Sequence, residues 1–590
     1  MNVRRRCAVG MIALSVMLTA GLANAQALKQ LPAKPLVVIK VNNPQAVSQR
    51  LGAISQKLGL AAMQPMMADP LGALKQQLGV KNGLDAARDI AVGIYAPAQG
   101  KSEPGVVVLL PVSDYKAFLG NFQGVKTEAG VDSFQIEGDD VFAANWGTYA
   151  ALTPDKAMLA QKPAGVELAP AAAGIVDKGD IVAWFDVNQA AAMGLPEFRK
   201  QRGQIVADME RELKGQATFN QKFTPVVKTL VVRVLDVVEG AMETAQWSTV
   251  TLNVAEKGIG FSSLCDFKPG SYAGNLIQGY KASNKPLLMG LPDRKYFAFG
   301  GMAIDAKAMT KIVDDFSAPV LVELKNAGPD GQNIASMVDA AKNSISALES
   351  VSFGYVQPTG QPGQQAIIQQ VAVYTGDAKK IAETQKQSME ATKQLMKLLP
   401  QTAEVSMNFG ITPNAKTVDG VALDQFKMDF KFDQNDPNAA QAAQMVQMIY
   451  GPGGMSGYLG AADQNSYIMA MGGNDELLAQ LIAAAKADAA PLAQATGVEA
   501  VSAQFEKNRV AVYYVSVDNI VTTAMQYAAM FGVPVKLQLP PNLPPIGMSM
   551  GTQDTAVRGE LFVPMELIEG IVGAAMRMMM QQGGGQPGAL

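Results

Sequence analysis

The chain contains no histidine among its 590 residues. This absence excludes Ser-His-Asp and Cys-His catalysis, and it excludes zinc, non-haem iron and haem sites that depend on histidine. Cysteine is nearly absent too, with only Cys7 and Cys265 in the sequence. Two cysteines cannot build a thiolate metal cluster, so the sequence predicts a fold that is stabilised by packing alone.

The first 25 residues have the layout of a secretory signal peptide. A basic start at residues 4–6 precedes an apolar run at 9–22, and small residues stand before the expected cleavage after Ala25. The apolar run is shorter than the ~20 residues of a membrane-spanning helix, and no later stretch has that uninterrupted length. We therefore expect a periplasmic or secreted protein that has no transmembrane segment after cleavage.

Cleavage would remove Cys7 and leave Cys265 as the single cysteine, so no intrachain disulfide is possible. We interpret Cys265 as a small buried hydrophobe, the alternative being a reactive thiol. Cleavage would also remove three arginines and change the formal net charge from −3 to −6. This acidic balance, without a basic stripe that carries aromatic residues, argues against nucleic acid as a partner.

Four stretches share one local pattern, a strand that runs directly into a helix. Each begins with β-branched or aromatic residues and then places Asn or Asp where a helix cap belongs. The stretches are 35–52, 180–194, 295–313 and 510–532. The expected caps, or neighbours of caps, are Asn43, Asn188, Asp305 and Asp518. The alternative for each of these four residues is a polar binding site.

A second pattern, two strands followed by a helix, also occurs in pairs. Residues 90–122 and 350–385 form one pair, and residues 247–277 and 546–572 form the other. All these units follow one another in the same order from 35 to 277 and again from 295 to 572. The sequence therefore predicts an α+β fold of two homologous halves, 26–285 and 286–580, related by a divergent tandem duplication. Each half would be a mixed or antiparallel sheet covered by helices.

The halves differ in one insertion. Residues 195–245 have the apolar spacing of a helical hairpin, whereas the second half has the Pro-rich segment 532–545 at that place. A hairpin present in one copy is a candidate contact surface, the alternative being ordinary intramolecular packing. The Gly/Gln-rich tail 581–590 is predicted to be disordered.

Few residues remain that could carry catalysis. Ser113 and Lys116 have the S-x-x-K spacing of penicillin-binding proteins, but the further motifs of those enzymes are missing. The neighbouring carboxylates Asp139–Asp140 and Asp314–Asp315 point apart on a strand and do not converge on a helix, so we interpret them as solvated charges. We assign no catalytic, cofactor-binding or metal-binding residue.

Two segments have a superficial likeness to ligand-binding loops. DQNDPN (433–438) lacks the glycine and the terminal glutamate of a calcium loop, and we interpret it as a turn before a helix. GPGGMSGYLG (451–460) has no Lys and follows a helix-like stretch, so it is predicted to be a flexible connection and not a phosphate loop.

Methionine is abundant, with 32 residues and clusters at 63–70, 445–455 and 574–582. Flexible thioether side chains suit both core packing and adaptable apolar surfaces. A copper site has little support in a chain without histidine and with one mature cysteine.

The stretch DPLGALKQQLGVKNGLDAARDIAVGIYAP (69–97), followed by VVVLLPVSDYKAFL (106–119), carries a resemblance. It is similar to a family of large secreted proteins of environmental, planctomycete-like bacteria whose function is uncharacterised. The resemblance lies in apolar alternation and glycines, and it transfers no functional residue.

We expect an exported, non-enzymatic envelope protein with a binding or structural role. Its partner would be an envelope protein or an apolar ligand, and no cofactor is expected. Two alternatives remain open, namely a periplasmic carrier of an apolar, lipid-like ligand and a hydrolase that uses a carboxylate or Ser-Lys pair. A cleft between the halves is the default ligand site.

Overall fold

The computed structural model describes residues 27–160, 163–215, 221–281, 285–358, 366–367, 369–398, 405–432, 439–451, 454–530, 532 and 537–583. These residues form two compact units. Unit 1 draws on Met1–Leu195, Met242–Ser271 and Arg558–Met565, and unit 2 draws on Pro196–Ala241, Tyr272–Val557 and Glu566–Leu590. The two predicted halves are a statement about descent by duplication. The division into compact units does not test that statement, so it stays a prediction.

The strands of the described residues are numbered in chain order. They are β1 Val37–Val41, β2 Ile90–Tyr95, β3 Gly105–Pro111, β4 Lys126–Glu128, β5 Val131–Ile136, β6 Asp139–Trp146, β7 Tyr149–Thr153, β8 Ile181–Phe185, β9 Ala245–Ala255, β10 Gly258–Phe267, β11 Tyr296–Ala303, β12 Leu348–Val356, β13 Gln369–Gly376, β14 Val405–Val418, β15 Val421–Phe432, β16 Met455–Ala461, β17 Ser466–Met471, β18 Arg509–Val515, β19 Ile546–Gln553 and β20 Ala556–Pro564.

The helices are numbered in the same way. They are α1 Pro44–Lys57, α2 Leu60–Met63, α3 Pro70–Gln77, α4 Tyr115–Leu119, α5 Lys156–Leu159, α6 Pro170–Val176, α7 Val187–Gly215, α8 Thr224–Thr244, α9 Tyr272–Gly279, α10 Ala306–Asn326, α11 Pro329–Ala347, α12 Ala378–Leu398, α13 Ala439–Tyr450, α14 Asp475–Lys486, α15 Thr496–Ser502, α16 Val517–Met530 and α17 Met565–Gly583. The predicted α+β class is confirmed.

Both units contain an antiparallel sheet, and the strand order is the same in the two. In unit 1 the order is β9-β8-β1-β2-β3-β7-β6-β5-β4, with β10 beside β9. In unit 2 it is β19-β18-β11-β12-β13-β17-β16-β15-β14. Strand β20 lies next to β10 in unit 1. The first strand of each unit therefore sits between the second strand and a strand that follows much later in the chain.

Two of the four expected caps accept the hydrogen bond that a cap accepts. Asn43 accepts from the amide of Ala46 at the start of α1, and Asp305 accepts from the amide of Ala308 at the start of α10. Asn188 lies inside α7, where Asp186 accepts from Gln189 N instead. Asp518 lies inside α16 and accepts from the amide of Leu543.

The predicted helical hairpin is formed by α7 and α8, which we call the arm. Helix α7 starts at Val187 and continues through Pro196, so the predicted start at 195 is too late. The helix accommodates Pro196 in its third turn although proline lacks an amide donor. Residues 216–220, between the two helices, lie outside the described residues.

The interpretation of 451–460 as a flexible connection is wrong for its second part, because β16 occupies Met455–Ala461. Its glycine is needed for packing and not for flexibility. A Cβ atom on Gly457 would lie 2.5 Å from the Phe426 ring and 2.4 Å from the Ala470 carbonyl oxygen. The calcium-like segment 433–438 lies outside the described residues. Helix α17 continues to Gly583, so the predicted tail is helical at 581–583, and residues 584–590 lie outside the described part.

Candidate functional site

The S-x-x-K residues do not form a catalytic pair in the structure. Ser113 and Lys116 are both exposed to solvent, in the turn before α4 and in its first turn. Asp114 between them is the cap of this helix and accepts from the amides of Lys116 and Ala117. A capped surface turn explains the spacing without chemistry.

The neighbouring carboxylates considered for catalysis also bind separate partners and do not act as pairs. Asp140 accepts from Gln135 Nε2 at 3.1 Å on the surface of β6. Asp314 pairs with Lys342, whereas Asp315 accepts from Lys311 Nζ at 2.9 Å and from Tyr272 Oη at 2.8 Å. These hydrogen bonds, that of Lys311 first, hold the pKa of Asp315 below its ordinary value. An ionised carboxylate that is already paired is a poor general acid.

Asp314 and Asp315 line an open pocket of about 500 Å³ on α10. The remaining lining residues are Ala306, Lys307, Thr310, Lys311 and Ser346. The pocket is shallow and charged, and its lysines and carboxylates neutralise each other. It therefore differs from the deep apolar cavity expected of a carrier.

Cys265 is half-buried on β10. Burial, followed by the nearby Asp266 carboxylate, raises the pKa of the Cys265 thiol. A raised pKa lowers the fraction of the nucleophilic thiolate at neutral pH, which favours the interpretation of Cys265 as a packing residue.

Unit 1 contains a buried ionic cluster that sequence reasoning missed. Lys40 on β1 is fully buried, and its Nζ lies 3.5 Å from Asp89 Oδ2 and 3.0 Å from Asp177 Oδ1. Asp89 also accepts from Tyr149 Oη at 2.6 Å. Asp89 and Tyr149 are buried and Asp177 is half exposed on its side chain, so the cluster is part of the core. The lone Lys in the apolar strand PLVVIKV was the available signal.

Unit 2 presents an apolar sheet face that we call the open face. It consists of three cross-strand rows on β19, β18, β11 and β12. The rows are Met548-Tyr513-Gly300-Phe353, Met550-Ala511-Met302-Val351 and Ile546-Val515-Ala298-Tyr355. None of these twelve residues is charged. With strands ~4.8 Å apart and alternate residues ~6.7 Å apart, the outermost backbone positions of the face are roughly 14 Å apart across the strands and roughly 13 Å apart along them.

The open face is partly accessible to solvent. Tyr355, Met548 and Met550 are exposed, at 38%, 42% and 46%. Gly300 is buried in the row Met548-Tyr513-Gly300-Phe353, which lies between the other two rows. In this row the Phe353 and Tyr513 rings approach each other across Gly300, with centroids 6.2 Å apart. A Cβ atom on Gly300 would lie 3.1 Å from the Tyr513 ring. The glycine thus lets the two rings close over the sheet, and the flexible methionines border them.

The opposite side of the same strands is sealed. Val512, Tyr514 and Ser549 are buried there, and Gly547 lies against Val501 and Phe505 of the α15 region. Only one side of this sheet is therefore available to a ligand. The alternating pattern IGMSMG (546–551) is the sequence signal for the two faces. It was missed because the predictions rested on the denser methionine clusters.

The arm also carries an accessible apolar stripe. Val226 of α8, with Phe223 directly before that helix, packs against a cluster of Leu321, Leu324 and Ala335 in unit 2. Farther along α8, four residues on one side of the helix are 41–57% exposed, namely Leu230, Val234, Val237 and Val238. The start of α8 therefore packs within unit 2, whereas its middle exposes an apolar surface, and the interpretation of the arm as a contact surface stays a prediction. Phe219, which falls within the predicted hairpin 195–245, lies outside the described residues.

Among the described residues, no group of three or more His, Cys, Asp or Glu side chains is arranged to hold a metal ion. In the same part of the chain, no helix has the length and apolar character needed to cross a membrane.

Comparison with known proteins gives few matches. No protein-family model and no curated protein matches the chain. Among solved structures, crystal form I of TP0453 is 10% identical, covers 42% of this chain and 80% of its own, and has a TM-score of 0.21. Crystal form III of TP0453 is 8% identical, covers 50% of this chain and 100% of its own, and has a TM-score of 0.20.

Proposed function

We propose that the protein is an exported, non-enzymatic binding protein whose ligand is apolar and lipid-like. The observation that carries this proposal is the open face of unit 2. Soluble proteins rarely expose a contiguous apolar area of several hundred Å², and such areas usually mark binding sites. The absence of charge on the face fits a hydrocarbon chain, which would be held by contact area and not by ion pairs.

Methionine at the accessible edge supports the same ligand class. Met548 and Met550 have flexible, polarisable side chains that adapt to chains of different length and unsaturation. The rigid Phe353 and Tyr513 rings would supply a flat floor. The residues considered for catalysis lie on exposed turns or in ion pairs, so a hydrolase has less support than a binding protein.

The test combines a bound-ligand search with matched variants. Native mass spectrometry of the mature protein purified from its host, followed by solvent extraction, should reveal a reproducible excess mass that extracts as a lipid. In vitro, dansylaminoundecanoic acid should bind saturably, and Met548→Gln with Met550→Gln should weaken binding about tenfold, as expected for a loss of ~1.4 kcal/mol.

The matched control is Met445→Gln, since Met445 is 52% exposed but lies on α13 and not on the open face. This variant should bind the probe as the wild type does. Equal loss in both variants, or a host-purified protein without extractable lipid and without saturable probe binding, would contradict the proposal.

A structural role through a protein partner is the second candidate, favoured by the apolar stripe on α8. We also infer that residues 26–285 and 286–580 descend from a tandem duplication, with the arm inserted in the first copy. The shared strand order supports this inference. A single-copy relative with the strand order of unit 1 and without the arm would strengthen it.

A further inference from the structure

The strand pairing continues one position beyond the open face. Directly after β12, the amide of Gln357 donates to the carbonyl oxygen of Lys295 at 2.8 Å, so these two residues lie opposite each other. Gln357 alternates with Phe353 and Tyr355 along the chain and therefore lies on the side of the sheet that carries the open face. A lysine and an amide thus stand at the end of a surface that has no charge of its own.

The residue that follows Lys295 turns to the other side of the sheet. The register of β11 shifts between Tyr296 and Ala298, and Tyr296 lies opposite Val356. A Cβ atom on Gly354 would point away from the open face, and it would lie 2.5 Å from the Tyr296 ring. Because Tyr296 is directed to the sealed side, the adjacent Lys295 is directed to the side of the open face.

The ammonium group of Lys295 has no competing partner. The side chain is exposed, and it makes no ion pair or hydrogen bond within the part of the chain that the structure describes. Arg294 beside it already pairs with Glu476. An anion that binds Lys295 therefore breaks no existing ion pair.

The two ends of the open face differ in charge. The row of Met550 and the position of Lys295 are three steps of ~6.7 Å apart along the strands, which is about 20 Å. Beyond the row of Met550, β12 carries Glu349, whose Oε2 lies 3.6 Å from Lys285 Nζ. The carboxylate at that end is thus already matched with a cation, whereas the lysine at the other end is not. A lipid with an anionic head would place that head at Lys295 and its chain along the strands toward Met550.

The surroundings of Lys295 favour a head group with a single charge. Gln357 Nε2 donates to Thr523 Oγ1 of α16 at 3.0 Å, so these neighbours are polar but uncharged. A carboxylate carries one negative charge, which one lysine balances. A phosphate monoester carries nearly two and is typically held by several cations or by the planar fork of Arg.

We propose that the ligand of the open face is a long-chain carboxylic acid whose carboxylate binds Lys295. This inference rests on the apolar binding role proposed above and adds the class of the head group. An exposed ion pair contributes little affinity, so Lys295 sets the orientation of the ligand and the preference for acids, while the hydrocarbon chain supplies most of the binding.

The test compares dansylaminoundecanoic acid with its methyl ester, which keeps the chain and removes the charge. The wild type should bind the acid about fivefold tighter at low ionic strength, the upper range for an exposed ion pair. This preference should shrink as salt is added, because salt screens exposed charges. Lys295→Met should lose the preference and bind the ester as the wild type does. Lys325→Met is the matched control and should keep the preference, since Lys325 is an exposed lysine on α10.

Met548→Gln with Met550→Gln should weaken the binding of acid and ester alike, which separates the contribution of the chain from that of the head. Circular dichroism should show all variants folded. If the wild type binds acid and ester equally, or if Lys295→Met keeps the preference, the head-group inference is wrong while the apolar binding role stands. If neither compound binds saturably, both proposals are wrong. Stronger displacement of the probe by dodecyl phosphate than by dodecanoic acid, abolished in Lys295→Met, would overturn the carboxylate in favour of a phosphate head.

Discussion

The two units have the same strand order, yet several corresponding positions on the first two strands are buried to different extents. In unit 1, Val41, Ile90 and Val92 lie in the core and are at most 7% exposed. The register places Met302, Val351 and Phe353 at the same positions of unit 2, where they are only half-buried. Strand order therefore does not decide whether a face becomes core or surface.

The helices after the first strand pack against different neighbours in the two units. In unit 1, α1 contributes the fully buried Val47 to the core on this face. In unit 2, Leu321 and Leu324 of α10 pack with Ala335 of α11 and with the arm. Helices that satisfy their apolar sides with each other leave sheet surface accessible.

The other face of the two sheets differs at one equivalent position. Lys40 lies opposite Ala91 and Val182, and Gly301 lies opposite Ser352 and Val512. Unit 1 fills the space with a buried lysine and its carboxylates. In unit 2 backbone atoms occupy the space beside the equivalent position, since a Cβ atom on Gly301 would lie 1.4 Å from the Leu287 carbonyl oxygen.

The largest effect is expected from Lys40→Met. Removal of the cation leaves Asp89 buried without its countercharge, which typically destabilises by about 3–5 kcal/mol. Hydrogen exchange should show lost protection in β1 and β2 of unit 1 and unchanged protection in unit 2. The double variant Lys40→Met with Asp89→Asn should recover much of the stability, and no recovery would contradict a role based on charge.

Gly301→Ala should have the second largest effect on stability, because the new methyl group must displace the Leu287 backbone. Overpacking of this kind destabilises by about 1–3 kcal/mol. Thermal unfolding followed by hydrogen exchange should place the loss in β11 and β12. Gly410→Ala on β14 is the control, since a Cβ atom there meets open space. Equal losses in both variants would contradict the close approach.

Val→Ala variants compare the packing of the two sheet faces, because the same methyl groups are removed from each. Val92→Ala removes methyl groups from the core of unit 1 and should destabilise by roughly 1.5–2.5 kcal/mol. Val351→Ala removes the same groups from the half-buried open face and should cost below about 1 kcal/mol. Similar losses, measured by local hydrogen exchange in each unit, would mean that the open face is packed as tightly as the core.

The smallest effect concerns the arm. Glu239 accepts hydrogen bonds from Arg199 and Arg202, which hold its pKa below the ordinary value. A depressed pKa stabilises the folded arm above the unfolded value of ~4.3, and this contribution is lost as the pH falls through the folded pKa. Exchange in α7 and α8, corrected for intrinsic rates, should rise on acidification, and Glu239→Gln should reduce this dependence, with the remainder due to Glu210, whose pKa Lys228 also lowers.

Much of the local structure could be predicted. The hairpins that precede helices, and the caps Asn43 and Asp305, follow from side-chain alternation and from the local hydrogen bonds of Asn and Asp. The start of α7 could not be found in this way, since Pro196 suggests a boundary that the helix passes through. The open face was missed because Met302, Val351, Tyr513 and Met548 lie far apart in the chain and only the strand register brings them together.

The sequence by itself determined the alternation of apolar and polar residues, and with it the α+β class, the order of several strand and helix units and the absence of histidine chemistry. These properties depend on neighbours within a few residues, where side-chain period and backbone hydrogen bonding act directly. Only the tertiary structure decided that Lys40 is buried, that Gly301 admits the Leu287 carbonyl, and that Val41, Ile90 and Val92 lie in the core while Met302, Val351 and Phe353 are half-buried. Burial depends on which distant segment covers a face, and a strand with two apolar sides carries no local signal for that choice.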